Sequence, residues 1–268
     1  FGYFGGSYPA TSRVERVDYF NDTVTASVRG PLTAVRAYVA ATGNADFGYF
    51  GGEYPAKSTV DRIDYSNDTA TASSKGPLSS ARYSMGATGN TSFGYFGGGH
   101  PGLTTVDRID YSNDTGTAPA KGPLSTARYG LGAAGNASFG YFAGGGAPNV
   151  STVDRIDYSS DTGTASPKGP LSRIGRTITA ASARSNGLPE TFVAPASTVR
   201  ENVAPQGTDF GYFGGGTPST VSTVDRIDYS NDTETASPKG PLSQGRGYLA
   251  ATGNTSFGYF GGGHPGLT

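Results

Sequence analysis

The chain has no cysteine, which removes disulfide staples, thiol catalysis and thiolate metal sites, and leaves packing and strand pairing to hold the fold. It has no tryptophan, one methionine and two histidines, and Leu, Ile, Val and Phe together make only 45 of its 268 residues. So few large apolar side chains would suggest disorder in a strongly charged chain. Here 20 Lys plus Arg stand against 21 Asp plus Glu, a net charge of -1. That balance gives no electrostatic ground for nucleic acid or an anionic membrane surface as a partner. No stretch reaches the roughly 18 apolar residues of a membrane span, and no charged-then-apolar leader precedes Phe1. A chain that begins with Phe reads as a processed product or a fragment.

What the chain has instead is rings, 17 Tyr and 14 Phe, each able to bury roughly 150–250 Å². A core of aromatics and alanines is therefore expected. The rings are regularly placed: Phe-Gly-Tyr-Phe begins at Phe1, Phe47, Phe93, Phe139, Phe210 and Phe257, with spacings of 46, 46, 46, 71 and 47 residues. Between these marks the phrases Val60-Asp61-Arg62-Ile63-Asp64-Tyr65, Asn67-Asp68-Thr69, Lys75-Gly76-Pro77-Leu78, Arg82 and Gly89-Asn90 recur. Self-similarity of this kind is the signature of a repeat architecture. The 1–268 span then reads as a single domain with one irregularity, an insertion at 185–209 that is too short for another unit and suits either a partner-binding arm or an inert surface loop.

Each unit predicts four short strands. Phe93-Gly94-Tyr95-Phe96 is a compact aromatic strand ended by Gly97-Gly98-Gly99. Thr105 to Tyr111 is a second strand, and Ser112-Asn113-Asp114-Thr115-Gly116 supplies the turn after it. Thr115 to Pro119 is expected as a short polar outer strand, and Arg128 to Ala134 as an inner strand whose small residues suit the crowded axis of a ring. A helical alternative fails, because the units are rich in Gly and Thr and lack any apolar pattern at a 3.6 spacing.

The Gly-Gly doublets after the aromatic strand (Gly51-Gly52, Gly97-Gly98), the Asp-Tyr before a turn (Asp64-Tyr65, Asp110-Tyr111) and the Pro-Leu followed by Arg (Pro77-Leu78 to Arg82) resemble a kelch motif. The outer-strand tryptophan usual in that family has no counterpart here. The resemblance implies an all-β propeller of four-stranded blades that binds partners through the loops at its channel mouths, and it implies no particular ligand. Five inner-strand arginines and five Val-Asp/Glu-Arg strands predict five blades closed by pairing of the chain ends; a fragment of a six- or seven-bladed ring is the alternative.

The candidate binding residues are the repeated arginines Arg36, Arg82, Arg128, Arg176 and Arg246, with Tyr83 and Tyr129 beside them. A ring of Arg could hold a carboxylate, sulfate or phosphate through bidentate contacts. The plainer reading ties each Arg to carbonyls or an Asp of the adjacent blade, and a feature present in every copy favours architecture. Asp61 and Asp64 with their equivalents could form a carboxylate ring for Ca²⁺, but their spacing matches no calcium loop and pairing within the scaffold is favoured. His100 and His264 occupy one repeat position in Gly-Gly-Gly-His-Pro-Gly-Leu-Thr phrases and lack nucleophile partners. No enzyme, cofactor or metal is therefore expected.

Near-identical loops point to a structural or adhesive scaffold, exposed on a particle or cell surface, with a protein or surface glycan as partner. The style of repetition is similar to that of appendage proteins of viruses of aquatic bacteria, so an extracellular or virion-associated location is favoured. The alternative is a lectin-like propeller with one weak sugar site per blade, built from Tyr129-type residues and Gly-Asn turns, whose sites would gain strength by avidity.

Overall fold

The computed structural model describes residues 1–182, 210–253 and 257–264; the 185–209 insertion lies outside the described residues. The first sheet contains β1 (Gly2–Gly5), β2 (Val14–Val17) and β3 (Ser27–Arg29). Next comes a complete blade of β4 (Ala40–Gly43), β5 (Phe47–Glu53), β6 (Lys57–Asp64) and β7 (Ser73–Lys75). The blade of β8 (Gly86–Gly89), β9 (Phe93–Gly97) and β10 (Val106–Asp110) has its outer strand reduced to a bridge between Asp107 and Ala120. Two further complete blades follow, β11 (Gly132–Gly135) to β14 (Ser166–Lys168) through β12 (Phe139–Ala143) and β13 (Val153–Asp157), then β15 (Thr179–Ser182) to β18 (Ser237–Lys239) through β16 (Phe210–Gly214) and β17 (Val224–Asp228). The last sheet pairs β19 (Ala250–Gly253) with β20 (Gly258–Gly261).

All these ladders are antiparallel, and the five inner strands β4, β8, β11, β15 and β19 pack in succession around one channel. This is a five-bladed β-propeller. Alanines at one inner-strand position, Ala41, Ala87, Ala133, Ala180 and Ala251, face the channel, in keeping with small residues on the innermost strands. The rings fill the space between blades: Tyr49, Tyr95, Tyr141, Phe96 and Phe142 are fully buried.

Two expectations are corrected. Thr115 to Pro119 does not form the outer strand, which lies a few residues later, at Ser73–Lys75 and its equivalents. The backbone of the expected segment is engaged elsewhere, since the Ala118 N–H donates to Pro77 O of the preceding blade. The chain ends do close the ring, but through side chains, because β20 already occupies the ladder edge of β19 that β1 would need. Tyr259 stacks on Tyr19 at 5.3 Å, Tyr19 Oη hydrogen-bonds Thr252 Oγ1 at 2.7 Å, and Tyr259 Oη donates to Asp22 at 2.8 Å. Among the described residues β1–β3 has no inner strand of its own and stands between β19–β20 and the β4–β7 blade.

Successive blades are held by a repeated clamp. Tyr49 Oη and Arg62 Nη1 both donate to Asp114 Oδ2 at 2.8 Å, and Lys75 Nζ lies 3.2 Å from Oδ1. Tyr95, Arg108 and Lys121 meet Asp161 in the same way, Tyr141, Arg155 and Lys168 meet Asp232, and Tyr3, Arg16 and Arg29 meet Asp68. Burial alone would raise the Asp114 carboxyl, but hydrogen bonds from Tyr49 and Lys75 and the charges of Arg62 and Lys75 outweigh it and hold the group below its ordinary value.

The clamp tyrosines make the fold sensitive to base. Burial, then the hydrogen bond to Asp68, pushes Tyr3 up to about 12, and burial with the corresponding aspartate raises Tyr49, Tyr95 and Tyr141. In the unfolded chain a phenol ionises near pH 10. A folded value above the unfolded one gives stability that is complete below about pH 10 and is lost as pH rises through the folded value. Melting temperature is therefore expected to fall between about pH 10 and pH 12, with phenolate absorbance appearing together with unfolding for the buried rings. Titration of all 17 tyrosines near pH 10 in a folded chain would contradict this.

Candidate functional site

Several of the positions at which the repeat departs from itself gather around one end of the channel. Three kinds of position converge there: the residue before the loop proline (Tyr8, Tyr54, His100), the residue after the repeated arginine (Tyr83, Tyr129), and the next one (Tyr38, Ser84, Thr177, Tyr248). The last four hold φ between 53 and 58°, in the left-handed region. A non-glycine residue there costs of order 1 kcal/mol or more, and such residues concentrate at binding sites.

The rings form one connected belt. Tyr38 lies at its centre, 5.8 Å from Tyr8, 6.2 Å from Tyr54, 6.1 Å from Tyr83 and 6.0 Å from Tyr248. Tyr83 stacks on His100 at 4.6 Å, and His100 meets Tyr129 edge-on at 5.3 Å. Arg176 Nη1 donates to Tyr129 Oη at 2.8 Å and extends the belt to the next blade. Beside it opens a cavity of about 890 Å³, lined on the mouth side by Tyr38, Ser84, Met85 and Tyr248 and continuing between β1–β2 and β20 past Asp22 and Tyr259. Tyr8, Tyr54 and Tyr248 remain 73, 51 and 48% exposed, so ring faces are open to a ligand. Burial, then the neighbouring phenols, raises Tyr38, which is therefore neutral and able to donate across the physiological range. A second, smaller cavity of about 480 Å³ is lined by inner-strand Ala, Thr and Gly together with Phe1, Tyr3, Tyr19, Phe50 and Tyr65.

The predicted arginine ring does not exist as a ring of free guanidinium groups. Arg36, Arg82 and Arg128 are buried and paired at 2.8–2.9 Å with Asp61, Asp107 and Asp154. Each pair joins two strands of one blade, where pairing to the adjacent blade was expected. Arg176 is out of register: Gly175 makes the backbone bridge that Arg36, Arg82, Arg128 and Arg246 make in the other blades, while Arg176 stands at the Tyr129 position. In that blade Ser172 holds Asp225 and the Arg173 guanidinium turns towards Gly215 O. Arg246 donates to Gly262 O at 3.1 Å. Asp61 is engaged by Arg36 and Thr33, and Asp64 caps the Tyr65–Asn67 turn through Ser66, so the two repeated carboxylates serve separate structural bonds.

Tyr83 and Tyr129 do reach the mouth. The Gly-Asn turns do not: Asn90 Oδ1 accepts the N–H groups of Ser92 and Phe93 at 2.9 Å, at the other end of the inner strand. A sugar site combining the two features in each blade is thus ruled out by geometry. Tyr38, Tyr54, Tyr248 and His100 are not marked by recurrence; their variability among otherwise matching copies is the sequence signal that sets them apart. No family model and no curated protein matches the chain.

Proposed function

We propose that this propeller is a non-enzymatic adhesive scaffold, displayed on a particle or cell surface, that meets its partner through the aromatic mouth. The observation that carries the reading is the concentration of repeat departures at that mouth, as exposed rings on strained backbone beside a cavity. The blade interiors, which vary little, supply a rigid platform of the kelch-like kind. Arg36, Arg82 and Arg128 are committed to Asp61, Asp107 and Asp154, which supports a structural role for them and a binding role for the mouth.

A carbohydrate partner is the second reading, favoured by the exposed tyrosine faces, which suit the apolar faces of sugar rings. It is a single composite site and needs no contribution from each blade. On an immobilised glycan panel, Tyr38→Ala with Tyr248→Ala is expected to weaken any sugar bound by the wild type roughly tenfold or more, about 1.4 kcal/mol, with unchanged melting. Equal binding by variant and wild type removes the mouth from the reading. Absence of any bound glycan removes the carbohydrate partner and leaves a protein surface.

A further inference from the structure

The clamps between blades leave one set of partners unmatched. Tyr212, Arg226 and Lys239 hold in the β15–β18 blade the positions that Tyr141, Arg155 and Lys168 hold in the blade before it, yet no carboxylate among the described residues meets Arg226 or Lys239. Across the gap, Asp22 corresponds to Asp114 and receives Tyr259 Oη at 2.8 Å, with no Arg or Lys beside it among the described residues. Arg246, the equivalent of Arg82, likewise has a carbonyl and, among the described residues, no aspartate. Between these groups runs β20, which pairs with β19 alone among the described strands. Its flank is open: Tyr259 and Phe260 are half-buried where Tyr95 and Phe96 are wholly covered.

One element of known chemistry satisfies all of these at once. In the β8–β10 blade the hairpin from Val106 to Lys121 pairs with the aromatic strand β9. Its Asp107 meets the blade's own arginine, its Arg108 and Lys121 reach forward to Asp161, and its Asp114 reaches back to Arg62 and Lys75. A hairpin of this sequence beside β20 would bring Asp to Arg246, Arg and Lys to Asp22, and Asp to Arg226 and Lys239. Space is present too. A Cβ on Gly122 would lie 1.7 Å from Gly163 O of the following blade, whereas a Cβ on the equivalent Gly240 would meet nothing within 4 Å.

We propose that the flank of β20, between the β17–β18 edge and the β1–β3 sheet, is a docking slot for one β-hairpin of the repeat's own Val-Asp-Arg-Ile-Asp-Tyr sequence. Strand addition to a free sheet edge supplies the backbone bonds, and the three charge matches set register and orientation.

The probe is a labelled synthetic peptide covering residues 104–123, titrated into the 268-residue chain and followed by fluorescence anisotropy. Saturable one-to-one binding is expected, absent for a scrambled peptide, and weakened roughly tenfold by Arg226→Asp. Because Arg226→Asp could act by disturbing the blade, the decisive arm is the swap: a peptide carrying Asp114→Arg should bind the Arg226→Asp chain better than the unaltered peptide does. No saturable binding, binding insensitive to Arg226→Asp, or failure of the swap overturns the proposal. Dimerisation of the chain that Arg226→Asp abolishes would also overturn it, by giving the slot to a second copy.

Discussion

Gly122→Ala is expected to be among the most damaging single-methyl changes available in this protein. Gly122 sits in the recurring Lys-Gly-Pro-Leu phrase, where its N–H donates to Asp161 O at 2.8 Å across the blade interface. A Cβ placed there would stand 1.7 Å from Gly163 O and 2.5 Å from its carbonyl carbon, both backbone atoms that no rotamer change can move. The two blades would have to separate, stretching that hydrogen bond and the Asp161 clamp beside it. Overpacking in a rigid interior costs about 1–3 kcal/mol and more where backbone must shift, so a loss of about 3 kcal/mol or more is expected by urea unfolding. Gly240→Ala provides the control. It is the same residue in the same phrase with no neighbour within 4 Å, and it should be silent or slightly stabilising, because alanine restricts the unfolded chain more than glycine does. Equal effects of the two substitutions would show that backbone conformation, and not the approach of the next blade, selects this glycine.

The contrast between these glycines also explains what the sequence made legible. Period, strand type and ring architecture followed from Phe-Gly-Tyr-Phe and Val-Asp-Arg-Ile-Asp, since an aromatic or β-branched run bounded by glycines has few structural uses. Lys-Gly-Pro-Leu could be seen to recur, but the carbonyl of the next blade that forbids a side chain at Gly122 is a long-range contact with no local trace. The same limit applied to Arg176. Counting arginines placed it with Arg128, while the backbone bridges put Gly175 there, because Leu171-Ser172-Arg173-Ile174-Gly175 aligns with Leu124-Ser125-Thr126-Ala127-Arg128 from the Pro-Leu onward. The aromatic mouth was half legible: Tyr83 and Tyr129 stood out by adjacency to an arginine, but only the ring geometry brings Tyr8, Tyr38, Tyr54 and Tyr248 to them from three other blades.

Asp107→Ala is the second change with a large expected effect, and it tests why the repeated arginines are there. Arg82 is fully buried, with Nη2 donating to Asp107 at 2.9 Å and to Phe96 O at 3.0 Å, Nη1 to Ser80 Oγ at 3.1 Å, and Nε to Met85 Sδ at 2.9 Å. Asp107 in turn accepts the Ser79 N–H and hydroxyl. Burial lowers the Arg82 guanidinium from its ordinary value and the Asp107 charge opposes that, so the carboxylate is what keeps the buried cation tolerable. Removing it strands a charge away from water, which costs about 3–5 kcal/mol. Removing both, as Arg82→Met with Asp107→Leu, should recover most of that loss, since a well-packed apolar pair of similar volume is often neutral or better. Arg246→Ala should change stability by less than about 0.5 kcal/mol, because that side chain is only half-buried and, among the described residues, its one hydrogen-bond partner is a carbonyl. The ordering of these variants in urea unfolding separates two roles for the arginines. If the double substitution melts near the wild type, the pairs are exchangeable mortar within blades and ligand contacts belong to the aromatic mouth. If it remains as damaged as Asp107→Ala, the guanidinium itself organises the turn from Leu78 to Met85 through Ser80, Met85 and Phe96, and its repetition in Arg36 and Arg128 marks a requirement of the inner-strand entry that no apolar side chain can meet.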